Sequence, residues 1–287
     1  MEITTPVLLA VLFGALLHAA WNALIKSSSD KSLDTALIHA MGAFLAIPLI
    51  AYAGWPDAAA WPYIVATTVV HLAYYATLAA AYRHGDFGQT YPVMRGSAPL
   101  FVALASLFFL DEPIAMAAWA GIVVICVGVL LMGLSGAVGG GRETRTALWF
   151  ALLNAMIIAT YTLIDGMGVR AAGNALSYVA VLFLFDAFPY MLMVMGQKNA
   201  VQRAAAWRYM RQRWPVAFVG TLASVGSYGI ALWAMTKAPV AVVAALRETS
   251  VLFAVFLGCF LLKEPWGWKK FLGACSILCG IWMLRWF

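Results

Sequence analysis

Within long apolar runs the sequence carries a small set of groups able to hold charge or pass protons: Arg95, Arg247, Glu248, Asp186, His18 and His71. An ionisable side chain in hydrocarbon costs about 2.5–3.5 kcal/mol on insertion scales unless it meets a partner or a wet cavity, so each is a functional candidate. A guanidinium presents a planar fork suited to a carboxylate, phosphate or sulfonate on a bound solute. The competing reading of Arg95 and Arg247 is neutralisation of a buried carboxylate, or attachment to carbonyls loosened beside Pro92 or Pro239. Asp186, Glu248 and His18 are the candidate proton carriers, since a buried carboxyl or imidazole can exchange a proton with a changing environment. Asp186, followed by Pro189, reads as the most isolated carboxylate, and a buried pair with an arginine is its alternative. Neighbours on a helix point about 100° apart, so Arg247 and Glu248 are not expected to face one cavity together.

Polar aromatics accompany these charges. His71, Tyr74, Tyr75 and Tyr82 fall along one helical face, Tyr91 precedes Arg95 by one turn, and Thr221, Ser224 and Tyr228 form a comparable stripe. Rings with polar tips suit a cavity for amphipathic, cationic or aromatic groups, whereas Tyr82, Trp149 and Trp286 near span ends read as interfacial anchors. His18, Trp21 and Asn22 are answered later by Asn154 and Tyr161, as hydrogen bonds between helices or to a solute. Asp165 and Asp111-Glu112 are placed at span ends. His-Glu-x-x-His, paired catalytic aspartates, nucleophile motifs and zinc spacings do not occur, so an enzyme, a cofactor and a metal are not expected. Cys126, Cys259, Cys275 and Cys279 lie within apolar runs and form no disulfide framework.

The elements that must position these groups are membrane helices. At 64% hydrophobic and 10% charged over 287 residues, an ordinary soluble chain is excluded. An apolar run of about 20 residues spans a bilayer. Ten such spans are read, at 5–25, 33–53, 62–82, 88–110, 114–134, 146–166, 177–196, 215–235, 239–262 and 266–286. Pro92 and Pro99 leave open a broken fourth span. The start lacks a basic n-region, so the first run is expected to be retained rather than cleaved. The formal charge of +6 sits between spans, which points to anionic lipid headgroups and away from nucleic acid.

The segment 95–128 recurs 152 residues later. Arg95 meets Arg247, Leu100-Phe101 meets Leu252-Phe253, Glu112-Pro113 meets Glu264-Pro265, and Gly121 and Gly128 meet Gly273 and Gly280. The chain is thus two copies of one unit, 1–138 and 146–287, joined by a glycine-rich linker at 139–145. Five spans per copy make the second copy enter the membrane from the opposite face, an inverted repeat with a solute site at the shared seam. The Glu-Pro pairs end the fourth and ninth spans, and the paired glycines allow close helix contact. Thirteen Lys and Arg lie on one side of the spans and three (Arg170, Lys237, Arg285) on the other, which places both termini outside. Five of the thirteen come from 197–213, which reads either as an interfacial amphipathic helix or as a solvated basic loop.

With Tyr91-Pro92-Val93-Met94-Arg95 through Glu112-Pro113, Arg247-Glu248-Thr249-Ser250 through Glu264-Pro265, and the glycine pairs in place, the chain resembles the EamA-like branch of the drug/metabolite transporter superfamily. The resemblance implies an all-α, ten-helix inner-membrane carrier of bacterial type. Membrane lipids and a small-molecule solute are the expected partners, and the chain is read as a monomer or homodimer. It also implies termini in the cytoplasm, against the charge count. Carriers of this kind export small metabolites such as amino acids by alternating access. The expected function is accordingly secondary transport of a small anionic or zwitterionic metabolite. The alternative is a lipid or lipid-linked-sugar translocase of the same fold. The coupling glutamate that small four-helix relatives carry in their first helix is replaced here by His18.

Overall fold

The computed structural model describes residues 3–85, 87–133, 142–262 and 267–286. It is all helical: α1 Thr5–Lys26, α2 Lys31–Ala53, α3 Trp61–His84 behind one short 3₁₀ turn, α4 Phe87–Phe109, α5 Met116–Gly133 and α6 Arg142–Ala171. The remainder forms α7 Ala175–Gly196, α8 Ala200–Met235, α9 Val240–Arg247, α10 Ser250–Leu262 and α11 Trp268–Trp286. Among the described residues nine stretches are long and apolar enough to cross a membrane, with α9 and α10 together making one of them. α11 carries Lys269, Lys270 and Arg285 at its ends, which dilutes its apolar middle. The chain is a multi-pass membrane protein.

Local chemistry sets the helix starts. Asp30 caps α2 by accepting from the Leu33 amide at 3.0 Å, Asn174 caps α7 through the Leu176 amide at 2.9 Å, and Asn199 with Gln202 forms a capping box on α8. That box begins α8 fifteen residues before Pro215. The basic segment is therefore neither a loop nor a separate interfacial helix: it is the first turns of α8, which runs through Pro215 unbroken. Two of its side chains are tied inward, Arg213 to Asp34 at 2.6 Å and Tyr209 to Ser28 at 3.0 Å.

The fourth span is continuous as read, and the alternative of a break in it does not hold. α4 is continuous through Pro92 and Pro99, and the break falls at Glu248–Thr249 in the other copy, where no proline stands. There the amides of Glu248, Thr249 and Val251 bond to Ala245, Leu246 and Glu248, three residues back rather than four. This tightened corner turns the chain between α9 and α10.

The two five-helix units pack as an inverted pair. α5 lies along α11, its own counterpart, and α2 along α7, while α3 on α6 is mirrored by α8 on α1. The glycines show the sense of the axis. A Cβ on Gly128 would lie 2.8 Å from the Gly273 carbonyl, and one on Gly280 would lie 2.8 Å from the Gly121 carbonyl. Since Gly273 and Gly280 are the copies of Gly121 and Gly128, each residue meets its partner's counterpart with the helices antiparallel. That is an isologous contact about a two-fold axis lying across the helices. Both chain ends emerge on one face, where Arg285 donates to Thr5 Oγ1 at 3.0 Å.

Gly128→Ala and Gly273→Ala each force the α5–α11 backbones apart and will destabilise the fold by about 1–3 kcal/mol. Thermal unfolding of the detergent-solubilised protein should show both variants melting several degrees early. Gly196→Ala, which enters open space, should melt with the parent.

Candidate functional site

The seam between the copies holds the charges that the sequence singles out. Arg95 on α4 places Nε 2.8 Å from Glu248 Oε2 at the α9–α10 corner, with side chains only 10% and 5% exposed. The approach is off the N–H axis, so the contact is an ion pair without hydrogen-bond alignment, and Arg95 Nη2 has no acceptor among the described residues. A buried donor left in this state is open to a ligand or water. Beside it lies a void of about 10 Å³, space for roughly one water, lined by Arg95, Pro99, Tyr161, Thr162, Arg247 and Glu248.

Arg247 and Glu248 reach this void together, contrary to expectation, because the helix stops between them and the void sits against the corner. The Arg247 guanidinium carbon lies 4.9 Å from the centre of the Tyr228 ring, a cation–π arrangement. Tyr228 in turn donates to Asp165, which also accepts from Tyr178 at 2.9 Å. Asp165 is fully buried rather than at a span end, since α6 continues to Ala171 and leaves it more than a turn inside.

A second polar cluster adjoins the first. Asp186 is not isolated: His39 Nδ1 lies 3.0 Å from its Oδ2, and Tyr75 donates to it at 3.3 Å. His39, on α2, escaped the sequence reading, although a histidine in hydrocarbon was the criterion that singled out His18 and His71. Stacked and edge-on rings connect the clusters. Tyr190 meets Tyr75 at 4.9 Å, Tyr75 meets Tyr74 at 5.3 Å, Tyr74 meets Tyr161 at 5.9 Å, and His71 stacks on Tyr161 at 4.5 Å. Tyr74 and Tyr75 thus serve different clusters, one on the void side and one on Asp186.

The remaining candidates are mostly structural in position. Asn154 donates to Thr77 Oγ1 at 2.7 Å and to the Tyr74 carbonyl at 3.0 Å, fastening α6 to α3. Asn22 donates to its own helix at His18 O, 2.7 Å away. Trp21 stands edge-on to His18 at 5.3 Å, and its buried indole N–H has no acceptor among the described residues. Thr221 is bound by the carbonyls of Ile38 and Ala217, and Ser224 is buried one turn before Tyr228. Tyr91 and Tyr82 pack around Met94, Ala98 and Tyr161.

Polar ties close the bundle above and below the void. On the terminal face, Glu112 accepts from Arg170 at 2.6 Å and from the first amide of α9, Val240, at 3.0 Å. Arg170 Nε also donates to Met235 O at 2.8 Å. The first Glu-Pro pair therefore does more than end a helix: its carboxylate joins α6 to α9, and Arg170 carries the tie on to α8. The second pair, Glu264-Pro265, lies outside the described residues, as do Gly139, Gly140 and Gly141 of the linker. The opposite face is tied by Arg213 on Asp34. Groups of three or more His, Cys, Asp or Glu that could hold a metal do not occur among the described residues.

The model of the EamA-like transporter family matches residues 5–134 and 145–286. A solved structure described only as "Crystal structure of protein" superposes with a TM-score of 0.75 at 17% identity, covering 97% of this chain and 95% of that one. At that identity the likeness is one of fold. No curated protein matches the sequence.

Arg95→Met strands Glu248 as a buried unpaired charge and will lower stability by about 3–5 kcal/mol. The double variant Arg95→Met/Glu248→Gln removes both charges and should recover most of that loss. Chemical unfolding of the four proteins of the cycle in detergent reads the coupling, and additive losses would show that the pair is not an interacting unit.

Proposed function

The chain belongs to the EamA-like transporter family, and we propose that it is an exporter of a small anionic or zwitterionic metabolite, an amino acid or related compound, working by alternating access. Membership makes it a membrane transporter of the drug/metabolite superfamily. The finer reading is carried by one observation: two arginines and a glutamate from opposite repeats converge on one buried void. Arg95 is neutralised by Glu248, so Arg247 over Tyr228 is the surplus cation, and a substrate carboxylate would bind there with the idle Arg95 Nη2 as a second donor. An ammonium group on the same substrate would face Glu248.

His71, Tyr74, Tyr91 and Tyr161 supply the aromatic wall beside these charges, with Tyr228 below Arg247. His18, Trp21, Asn22, Asn154 and Ser224 set the helix positions around it. In this reading Asp186, with His39 and Tyr75 on it, carries the coupling proton, and the ring sequence Tyr75–Tyr74–Tyr161 relates it to the void. Glu248 is the second coupling group. The copies 1–138 and 146–287 rock against each other about the seam, and the ties at Glu112–Arg170 and Asp34–Arg213 open in alternation.

Purified protein in liposomes will take up at least one member of a panel of labelled amino acids and organic acids. Arg247→Ala, which removes a charge-assisted contact worth about 1.5–3 kcal/mol, will weaken apparent affinity for that solute roughly tenfold or more. Asp186→Asn will leave solute-protected thermal stability in place while abolishing the response of transport to an imposed pH gradient. Failure to move any of the panel, with the protein folded, would remove the substrate class proposed here.

A further inference from the structure

A second and much larger cavity lies away from the charged seam. It is a groove of about 1030 Å³ between α2, the start of α7 and the second half of α8, at the top of the range that small-molecule sites occupy. Its long walls are apolar, with Leu45 and Leu49 on α2, Val179 on α7, and Leu222, Val225 and Trp233 on α8. Gly226 and Gly229 also line it, so α8 contributes no side chain along part of its wall.

The polar groups of the groove are gathered at one end. Arg170, Asn174, Thr236 and Lys237 line the mouth, where α6 and α8 end and α7 begins; no Asp or Glu among the described residues lines the groove, and the carboxylate of Asp57 stands outside it against Gly173. From Leu222 to Trp233 the α8 wall rises about 16 Å at 1.5 Å per residue, close to half of a hydrocarbon core of about 30 Å. With its basic mouth set at the headgroups, the apolar part of the groove would reach about the midplane. Trp233, 37% exposed, sits where interfacial tryptophans collect.

Charge identifies the occupant. The terminal face carries only three basic residues by the count above, and two of them, Arg170 and Lys237, are at this mouth. Arg170 is engaged by Glu112, while Lys237 is exposed and has no carboxylate within ion-pair distance among the described residues. We infer that the α2–α7–α8 groove holds an anionic phospholipid of the leaflet on the terminal face, its acyl chain along Val225 and Trp233 and its phosphate on Lys237. The lipid is a resident of the fold, distinct from the cargo at the seam.

Residency bears on the seam through the backs of the same helices. Val179 and Gly229 line the groove, and the residues next to them, Tyr178 and Tyr228, both donate to Asp165. A chain filling the groove therefore braces the two helices that hold this carboxylate.

The test is retention of lipid by the full-length protein. Delipidated protein is incubated with phosphatidylglycerol or phosphatidylcholine, and bound lipid is counted by native mass spectrometry, with thermal unfolding as a second readout. Phosphatidylglycerol should be retained preferentially and should raise the melting temperature. Lys237→Glu should cut its retention at least about fivefold, the effect of losing one basic residue at a membrane surface, with the added negative charge acting in the same direction. Val225→Trp, which fills the groove, should displace both lipids, and Lys270→Glu on the other face should displace neither. Equal retention of the two lipids by parent and Lys237→Glu overturns the proposal. So does protein-dependent movement of phosphatidylglycerol between vesicle leaflets, which would make the lipid a cargo. Neither result depends on transport of the seam's solute.

Discussion

The constraint on which the rest depends is that a guanidinium from one repeat must find its counter-charge in the other. Among the described residues, Arg95 is paired across the seam and not within its own unit. At the position that corresponds to Glu248 the first copy has Gly96, and a Cβ there would lie 2.8 Å from Leu130 and 3.3 Å from the Cys126 carbonyl. α4 is pressed against α5 too closely for a side chain. In the second copy the corresponding helix is broken at Glu248–Thr249, and α10 makes only slight contact with α11. The near-symmetric fold is therefore asymmetric where it carries charge, with tight packing in one half and a kinked, carboxylate-bearing corner in the other.

Much of this architecture was legible in the sequence because two of its signals are intrinsic to the chain. Apolar length predicts spans, and a fixed offset of 152 residues relates Arg95 to Arg247 and Gly121 to Gly273, from which inversion follows by counting spans. What escaped was whatever depends on a partner distant in sequence. His39 lies outside the segment that recurs at a fixed offset, so the repeat did not point to it. The break after Arg247 falls in Arg-Glu-Thr-Ser, which contains neither Gly nor Pro. The tertiary Arg95–Glu248 ion pair stands at that break, a contact that local preference does not encode. Conversely Pro92, Pro99 and Pro215 sit inside continuous helices, because neighbouring helices in a membrane bundle can satisfy the freed backbone groups. Asp165 was misjudged by one turn, enough to exchange a surface for a buried site.

Both faces of the bundle are fastened in this conformation. Glu112 gathers Arg170 and the α9 amide on the terminal face, and Asp34 holds Arg213 on the other. Between them the central void admits about one water. Each tie joins elements of both repeats, so in the proposed alternating-access reading opening either one shifts the repeats relative to each other. Arg213 is about 29% exposed on its side chain and Asp34 about 5%, so this tie is open on the arginine's side only.

Charge balance at the seam bears on the kind of solute. With Arg95 on Glu248 the void is a closed ion pair plus one surplus guanidinium. In the proposed reading a plain anion neutralises that guanidinium and leaves the pair intact. A zwitterion brings no net charge: its ammonium on Glu248 releases Arg95 to its carboxylate, so the pair parts without stranding a charge and the seam keeps the one positive charge it has when empty. Either cargo as proposed is thus accommodated without a change of protonation at the seam, which separates the choice of solute from the proposed coupling at Asp186, related to the void through the rings of Tyr75, Tyr74 and Tyr161.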